Sequence, residues 1–279
     1  MKKRTAIFSI MLTALLCSCT EKLEPAKITL DVESEKESYG ERIIISPLDE
    51  SVQILKSKII LAPKVEGVTY TISGYFDGQI ISSTKNTTIK LNNAYLENRA
   101  GKPALRAAAK TEISTTKDSV NYIVTRGNSL AKKAALEGKR DLVLGGSGTV
   151  YIKNTVCHGI EADDVKIKGS GVLYVQGTRR GSALTCETLT VESEKSFTAY
   201  FLNSKNGIKA ENKIAIDSGN FHLYNNGTAL KTERADESSE RTRSIALNGG
   251  TFYTYKNTTL YATDSFTNDG AVLIEEDKE

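Results

Sequence analysis

From Ile160 onward, apolar and polar residues alternate in short runs that stop at glycine, serine or asparagine. Alternation with a period of two marks strands with one buried face, and the stopping residues are those that turn a chain. The pattern recurs in "IEADDVKIKGSGVLYVQGTRRGSA" from Ile160, "LTCETLTVESEKSFTAYFLNSKNG" from Leu184, "IKAENKIAIDSGNFHLYNNGTALKT" from Ile208 and "SIALNGGTFYTYKNTT" from Ser244. Aligning Ile160, Leu184, Ile208 and Leu230 gives intervals of 24, 24 and 22 residues. Within these units Val165/Ile167, Leu189/Val191, Ile214/Ile216 and Ile245/Leu247 are equivalent inward pairs. After a corner follow Val172/Tyr174, Phe197/Ala199, Phe221/Leu223 and Phe252/Thr254. With Phe221 and Phe252 inward, alternation turns Tyr224, Tyr253 and Tyr255 outward.

Repeats of this length build either a leucine-rich horseshoe or a parallel β-helix. The L-x-x-L-x-L frame and a helical return are both missing, whereas short strands divided by glycine corners suit stacked coils. The predicted fold is therefore all-β, a single-stranded parallel β-helix in which every coil buries its inward row against the next.

Upstream, the alternation reaches back to Thr69 through "TYTISGYFDG", "QIIS" and "TTIKLNNAYLEN". Before it, "RIIISP" and "VQILKSKIILAP" read as short strands divided by Pro47 and closed by Pro63. They either cap the first coil or form a small N-terminal β unit. "AGKPALRAAAK" reads as a turn and a strand, because Gly101 and Pro103 break any helix start. "SLAKKAALEGKRDLVL" is the best short-helix candidate, with a longer loop as the alternative. The charged stretch 233–243 lacks apolar rhythm and reads as a solvent loop. The organisation predicted is a leader over 1–18, a tether over 19–38, N-terminal strands over 39–68 and the coils over 69–279.

The leader has a basic head and an apolar run from Ala6 to Leu16, too short to span a membrane. It ends in "LCSC", where Ser18 before Cys19 resembles the lipobox of bacterial lipoproteins. Acylated Cys19 predicts a membrane-anchored, extracytoplasmic protein on the bacterial outer membrane or cell surface, with simple secretion as the alternative. Losing Lys2, Lys3 and Arg4 with the leader leaves 34 basic and 34 acidic residues. That balance excludes the sustained basic field of a nucleic-acid binder. Cys157 and Cys186 remain. Cys186 stands where Ala162 and Ala210 stand in neighbouring repeats, which predicts a buried free thiol.

Candidate chemistry is sparse. There is no G-x-S-x-G elbow, and His158 and His222 lie far apart without metal-ligand spacing. "GGSGTV" at Gly145 is followed by a strand, not the helix of a phosphate loop. Glu161, Asp163 and Asp164 share a corner, and Glu211 and Asn212 follow two rungs on. Such oxygens suit calcium, or are ordinary surface charge. Arg179 and Arg180 in a turn match a uronate carboxylate, or simply face solvent. Outward tyrosines either stack on sugar rings or pack across strands. Asn154, Asn203, Asn226 and Asn257 fall near equivalent corners, where asparagine accepts left-handed φ and bonds nearby backbone, or stacks inward as a ladder.

"YTISGYFDGQI", "TTIKLNNAYLENRAGKPAL", "DLVLGGSGTVYI", "GIEADDVKIKGSGVLYV" and "GIKAENKIAIDSGNFHLYNNGTALKT" together resemble a family of bacterial extracellular β-helical carbohydrate-binding proteins, the cellulose- and pectin-binding type. The resemblance spans about residues 69 to 274. It implies a right-handed parallel β-helix, calcium ions, plant-type polysaccharide as partner, and pectate lyase architecture without clear catalytic equipment. Where that family carries acidic "DGID"-type turns, this chain reads "NGTALKT" and "NDGAVLI". Asp163, Asp164 and Asp269 are the positions onto which its acidic character carries over. The leading expectation is a non-catalytic, surface-anchored glycan-binding lipoprotein using Tyr224, Tyr253, Tyr255, Arg179 and Arg180. An adhesin or structural lipoprotein with protein partners is second. A calcium-dependent polysaccharide lyase with Arg179 as base is third.

Overall fold

A computed structural model describes residues 36–40, 42–127, 133–233, 242–255, 257 and 259–276. The fold is all-β, with one 3₁₀ turn, Lys36–Tyr39, among the described residues. Its strands form three columns, each built by parallel pairing of one rung on the next. The first column runs from Lys58–Leu61 through Gln79–Ser82, Leu105–Ala107, Leu136–Gly138 and Ile160–Glu161 up to Thr228–Thr232 and Thr259–Ala262. The second contains Thr111–Thr115, Leu142–Gly146, Asp164–Ile167, Ser244–Leu247 and Ser265–Asn268. The third contains Val120–Thr125, Thr149–Asn154, Val172–Gln176, Thr198–Leu202, Asn220–Tyr224, Thr251–Tyr255 and Val272–Glu275. Four longer strands bend round a corner. Thr69–Asp77 and Thr87–Asn98 link the second and third columns, while Ser182–Val191 and Asn206–Ile216 link the first and second.

The sheet is mixed at its start. Ile43–Ser46 lies antiparallel to Thr69–Asp77, and Val52–Leu55 forms an antiparallel hairpin with Lys58–Leu61. These early strands join the first coil through direct pairing.

Inside, like residues sit above like. Ile160, Leu184, Ile208 and Leu230 are aligned rungs, as are Val165, Leu189, Ile214 and Ile245. All are buried, and burying each aliphatic side chain contributes about 1.5–3 kcal/mol. In these two columns the expected inward pairs are found. In the third column the expected pairs Phe221/Leu223 and Phe252/Thr254 are found, while Val172/Tyr174 and Phe197/Ala199 are out of register. Leu173, Ala199, Phe221 and Phe252 are aligned, followed by Val175, Phe201, Leu223 and Thr254. Val172 and Tyr174 therefore face outward, and a one-residue slip had exchanged the faces of that strand.

Two local expectations are also corrected or completed. Leu136–Gly138 is a strand within the stretch expected to hold a helix; it pairs with Leu105–Ala107 on one side and Ile160–Glu161 on the other. Leu105–Ala107 is the strand expected after Pro103. Residues 234–241 of the expected solvent loop lie outside the described residues, as do the leader and Cys19.

Corners are built by glycine and asparagine. At Gly146 and Gly169 φ is +98° and +97°, and a Cβ on Gly169 would stand 2.4 Å from the Gly146 carbonyl oxygen. Stacked coils approach too closely there for any side chain. Asn203 adopts φ +51°. Asn226 donates to the Phe201 carbonyl at 2.9 Å, and Asn257 accepts from the Asn226 amide at 3.0 Å. These asparagines thus serve corner backbone. Cys157 and Cys186 are both buried, and Cys186 is a free thiol as expected.

Candidate functional site

Alternation sends the middle residue of every third-column rung outward, and in this chain that residue is nearly always tyrosine. Tyr75, Tyr95, Tyr122, Tyr151, Tyr174, Tyr200, His222 and Tyr253 occupy successive rungs. From Tyr122 to Tyr253 the ring centroids are 4.9, 4.5, 4.4, 4.3 and 4.6 Å apart, with interplanar angles of 7° to 11°. The rung spacing of a sheet, about 4.8 Å, holds flat rings at stacking distance.

Such a ladder has a specific chemistry. Both faces of each interior ring are taken by its neighbours, so a ligand meets ring edges and hydroxyls. Burial, then the adjacent phenols, pushes the Tyr174 and Tyr200 hydroxyls up to about 12. They are protonated donors throughout the physiological range. Burial lowers His222 to about 4, leaving a neutral ring whose Nδ1 lies 2.7 Å from the Tyr224 hydroxyl.

The lower end of the ladder is covered by the Lys36–Tyr39 turn. Tyr39 packs 5.6 Å from both Tyr95 and Tyr122, and its hydroxyl donates to the Val120 carbonyl at 2.9 Å. Lys36 Nζ stands 4.3 Å from the centre of the Tyr75 ring, a cation–π contact. Tyr151, Tyr174, Tyr200 and Tyr253 lie beyond this cover and are half-buried.

The expected site residues scatter over this frame. Tyr253 is a ladder member, so its face toward His222 is filled and it cannot sandwich a sugar there. Tyr224 and Tyr255 are 3% and 6% exposed, in a second apolar cluster with Leu202. They lie outside the main core, in the cluster that also holds Tyr95 and Tyr122, but they are covered rather than exposed: the Tyr224 ring stands 5.5 Å from His222 and 6.2 Å from Tyr255. Arg179 and Arg180 are exposed in the Thr178–Gly181 turn. Asp163 and Asp164 share a corner with Glu187 and Glu211; burial, then Asp163, Glu211 and Asp164, raise the Glu187 carboxyl. Asp269 sits on the last coil, so the three expected calcium ligands do not converge. Among the described residues no three His, Cys, Asp or Glu side chains are grouped to hold a metal.

The rest of the ladder was missed in the sequence, although a tyrosine three residues after a corner glycine, at Tyr151, Tyr174 and Tyr253, was its visible trace.

Residues 61–165 and 161–278 match, in tandem, the family described as carbohydrate-binding domain-containing proteins. No match to a curated protein was found. Among solved structures, the fold is similar to that of a polysaccharide lyase-like protein from C. thermocellum, with a TM-score of 0.51 and 15% identity over 82% of this chain and 89% of that one. The two family matches together run from the first parallel strand to the last coil, and this chain belongs to the carbohydrate-binding domain-containing family.

Proposed function

We propose that this chain is a non-catalytic polysaccharide-binding protein whose coils form a right-handed parallel β-helix, tethered to the bacterial outer membrane or cell surface by lipid on Cys19. The observation that carries the reading is the tyrosine ladder running along coils that match a carbohydrate-binding family from end to end. A row of protonated phenols at rung spacing offers a sugar chain many shallow hydrogen bonds. Each contributes about 0.5–1.5 kcal/mol, and affinity accumulates along the row. The binding partner suggested by this geometry is an extended glycan, of pectin or cellulose type. Any calcium would bind at the Asp163 and Asp164 corner without Asp269, and a chelator arm tests it.

The experiment is binding of the chain to polygalacturonate and cellulose, with calcium and with chelator, alongside an assay for released products. Replacing Tyr174 and Tyr200 together by phenylalanine keeps the stack and removes two hydroxyls. The expected loss is about 30-fold, two hydrogen bonds of about 1 kcal/mol each. Unchanged affinity would overturn the ladder as the binding face, and unsaturated products would convert the reading to a lyase.

A second reading, adhesion to protein or to a second copy, draws on the last coil. There Val272 is 53% and Leu273 40% exposed. Capture of neither polysaccharide, with concentration-dependent association, would favour it.

A further inference from the structure

At the opposite end of the coils lies a groove of about 580 Å³, far from the expected arginines and acidic corner. Three stacked corners wall it: the Lys56–Ser57 turn, the Asp77–Gly78 corner and the loop after Asn98. Four cationic side chains line it, Lys56, Lys58, Arg99 and Lys102, against one carboxylate, Asp77. A volume of this size falls within the range of small-ligand sites, about 300–1,000 Å³.

The groove is braced from behind. Asn98 is buried, and its side-chain oxygen accepts from the Ala100 amide at 3.0 Å and the Lys102 amide at 3.2 Å, fixing the loop. The Gly101 amide donates to the Arg126 carbonyl at 2.9 Å. Glu97, 1% exposed, pairs with Arg99 at 3.1 Å and with Arg126 at 2.6 Å. Its negative charge is therefore consumed by two guanidiniums while Arg99 is held at the rim. Asp77 reaches Arg99 at 3.6 Å. Among the described residues no carboxylate pairs with Lys56, Lys58 or Lys102 within 4 Å. At the floor, a Cβ on Gly78 would stand 2.6 Å from the Ser57 carbonyl oxygen, so two corners meet there without a side chain between them.

We infer that this groove binds the anionic substituents of a glycan, carboxylate or sulfate, directly through Lys56, Lys58, Arg99 and Lys102 and without a bridging metal ion. The inference rests on the polysaccharide-binding reading and assigns a second, charge-selective subsite to it. Clustered ammonium groups and a fixed guanidinium suit a multiply charged chain. A concave groove walled by three corners fits a polymer substituent better than a flat lipid surface.

The test compares the full chain with K56Q/K58Q/K102Q and with K117Q/K195Q/K213Q, a control removing three exposed lysines outside the groove. Probes are polygalacturonate, dextran sulfate, neutral dextran and vesicles containing phosphatidylserine, all with chelator and over a salt series. The groove variant should lose at least tenfold on one of the two anionic polymers, with a shallower salt dependence, while the control keeps its affinity. Preference for polygalacturonate assigns carboxylate, and preference for dextran sulfate assigns sulfate. Equal losses in both variants, no loss in the groove variant, or binding to vesicles alone would overturn the inference. Wild-type binding to neutral but not anionic polymer sinks the groove and spares the polysaccharide reading. Binding to no polymer sinks both.

Discussion

Two outer faces of the same coils solve the rung-spacing problem in opposite ways. On the third column, near-identical rings repeat from Tyr122 to Tyr253 and each gains from its neighbour. On the first column the corresponding row reads Arg106, Glu137, Glu161, Thr185, Lys209 and Lys231. Identical charges at that distance repel, so this face depends on alternation and on help from the corners. Arg106 and Lys139 pair with Glu137 at 3.7 and 3.1 Å, and Glu233 pairs with both Lys209 and Lys231 at 3.0 Å. Alternation fails at two steps: Lys209 and Lys231 share Glu233, whereas at Glu161 above Glu137 burial and then the Glu137 charge raise the Glu161 carboxyl. Parallel stacking rewards repetition of neutral flat groups and penalises repetition of charge.

The largest effect belongs to the aromatic face. Tyr174→Ala removes two stacking contacts and leaves Tyr151 and Tyr200 facing a gap. Aromatic pairs contribute about 0.5–1.5 kcal/mol each beyond burial, so the expected loss in denaturant unfolding is about 2–4 kcal/mol. Tyr174→Phe keeps both stacks and should lose less than about 1 kcal/mol. Equal losses in the two variants would mean that the hydroxyl row, rather than the rings, stabilises this face.

On the charged face, Glu137→Gln comes next. Glu137 is buried, and breaking a fully buried ion pair costs about 3–5 kcal/mol. Its partners are substantially exposed, however, at 38% for Arg106 and 49% for Lys139. Solvent screening reduces the expected cost to about 1–2 kcal/mol. The variant also removes the second cause of the raised Glu161 carboxyl. A raised folded pKa means the native state holds the proton longer, so Glu161 adds stability as pH falls toward its unfolded value near 4.5. That acid-side gain should shrink in Glu137→Gln. An unchanged pH profile would separate the two glutamates.

Which parts of this architecture could be read in advance follows from the same geometry. Between Ile160 and Ile216 the first- and second-column rows recur every 24 or 25 residues, and their aliphatic pairs stand out in sequence. The ladder does not: Tyr151, Tyr174, Tyr200, His222 and Tyr253 are separated by 23, 26, 22 and 31 residues. The corner before the third column varies in length, from Lys168–Gly171 to Glu192–Phe197. A fixed repeat length therefore slides the third-column register, and Tyr174 falls into the inward row. Tyr224 and Tyr255 are covered for a separate reason: alternation gives the side of a strand but not what packs over it, and here they pack with Leu202 and against the ladder. The basic groove lies on corners distant in sequence, Lys56, Asp77 and Arg99, which only the stacking of coils brings together.

The smallest effect, and the finest probe of the charged face, is at Glu233. Hydrogen bonds from Lys231 and then Lys209 hold its carboxyl down at about 2, against an ordinary value of 4.5. A depressed folded pKa contributes stability that is fully present above the unfolded value and is lost as pH falls through the folded one. Glu233 is largely exposed, so screening limits the contribution to about 0.5–1 kcal/mol. Glu233→Gln should therefore cost that much at pH 7, and the difference from wild type should close between about pH 4.5 and pH 2. High salt should weaken it at neutral pH as well, because both lysines are partly exposed. A cost that persisted at pH 2 would assign the loss to packing at this corner, and the first column's outer face would then owe its stability there to shape rather than to alternating charge.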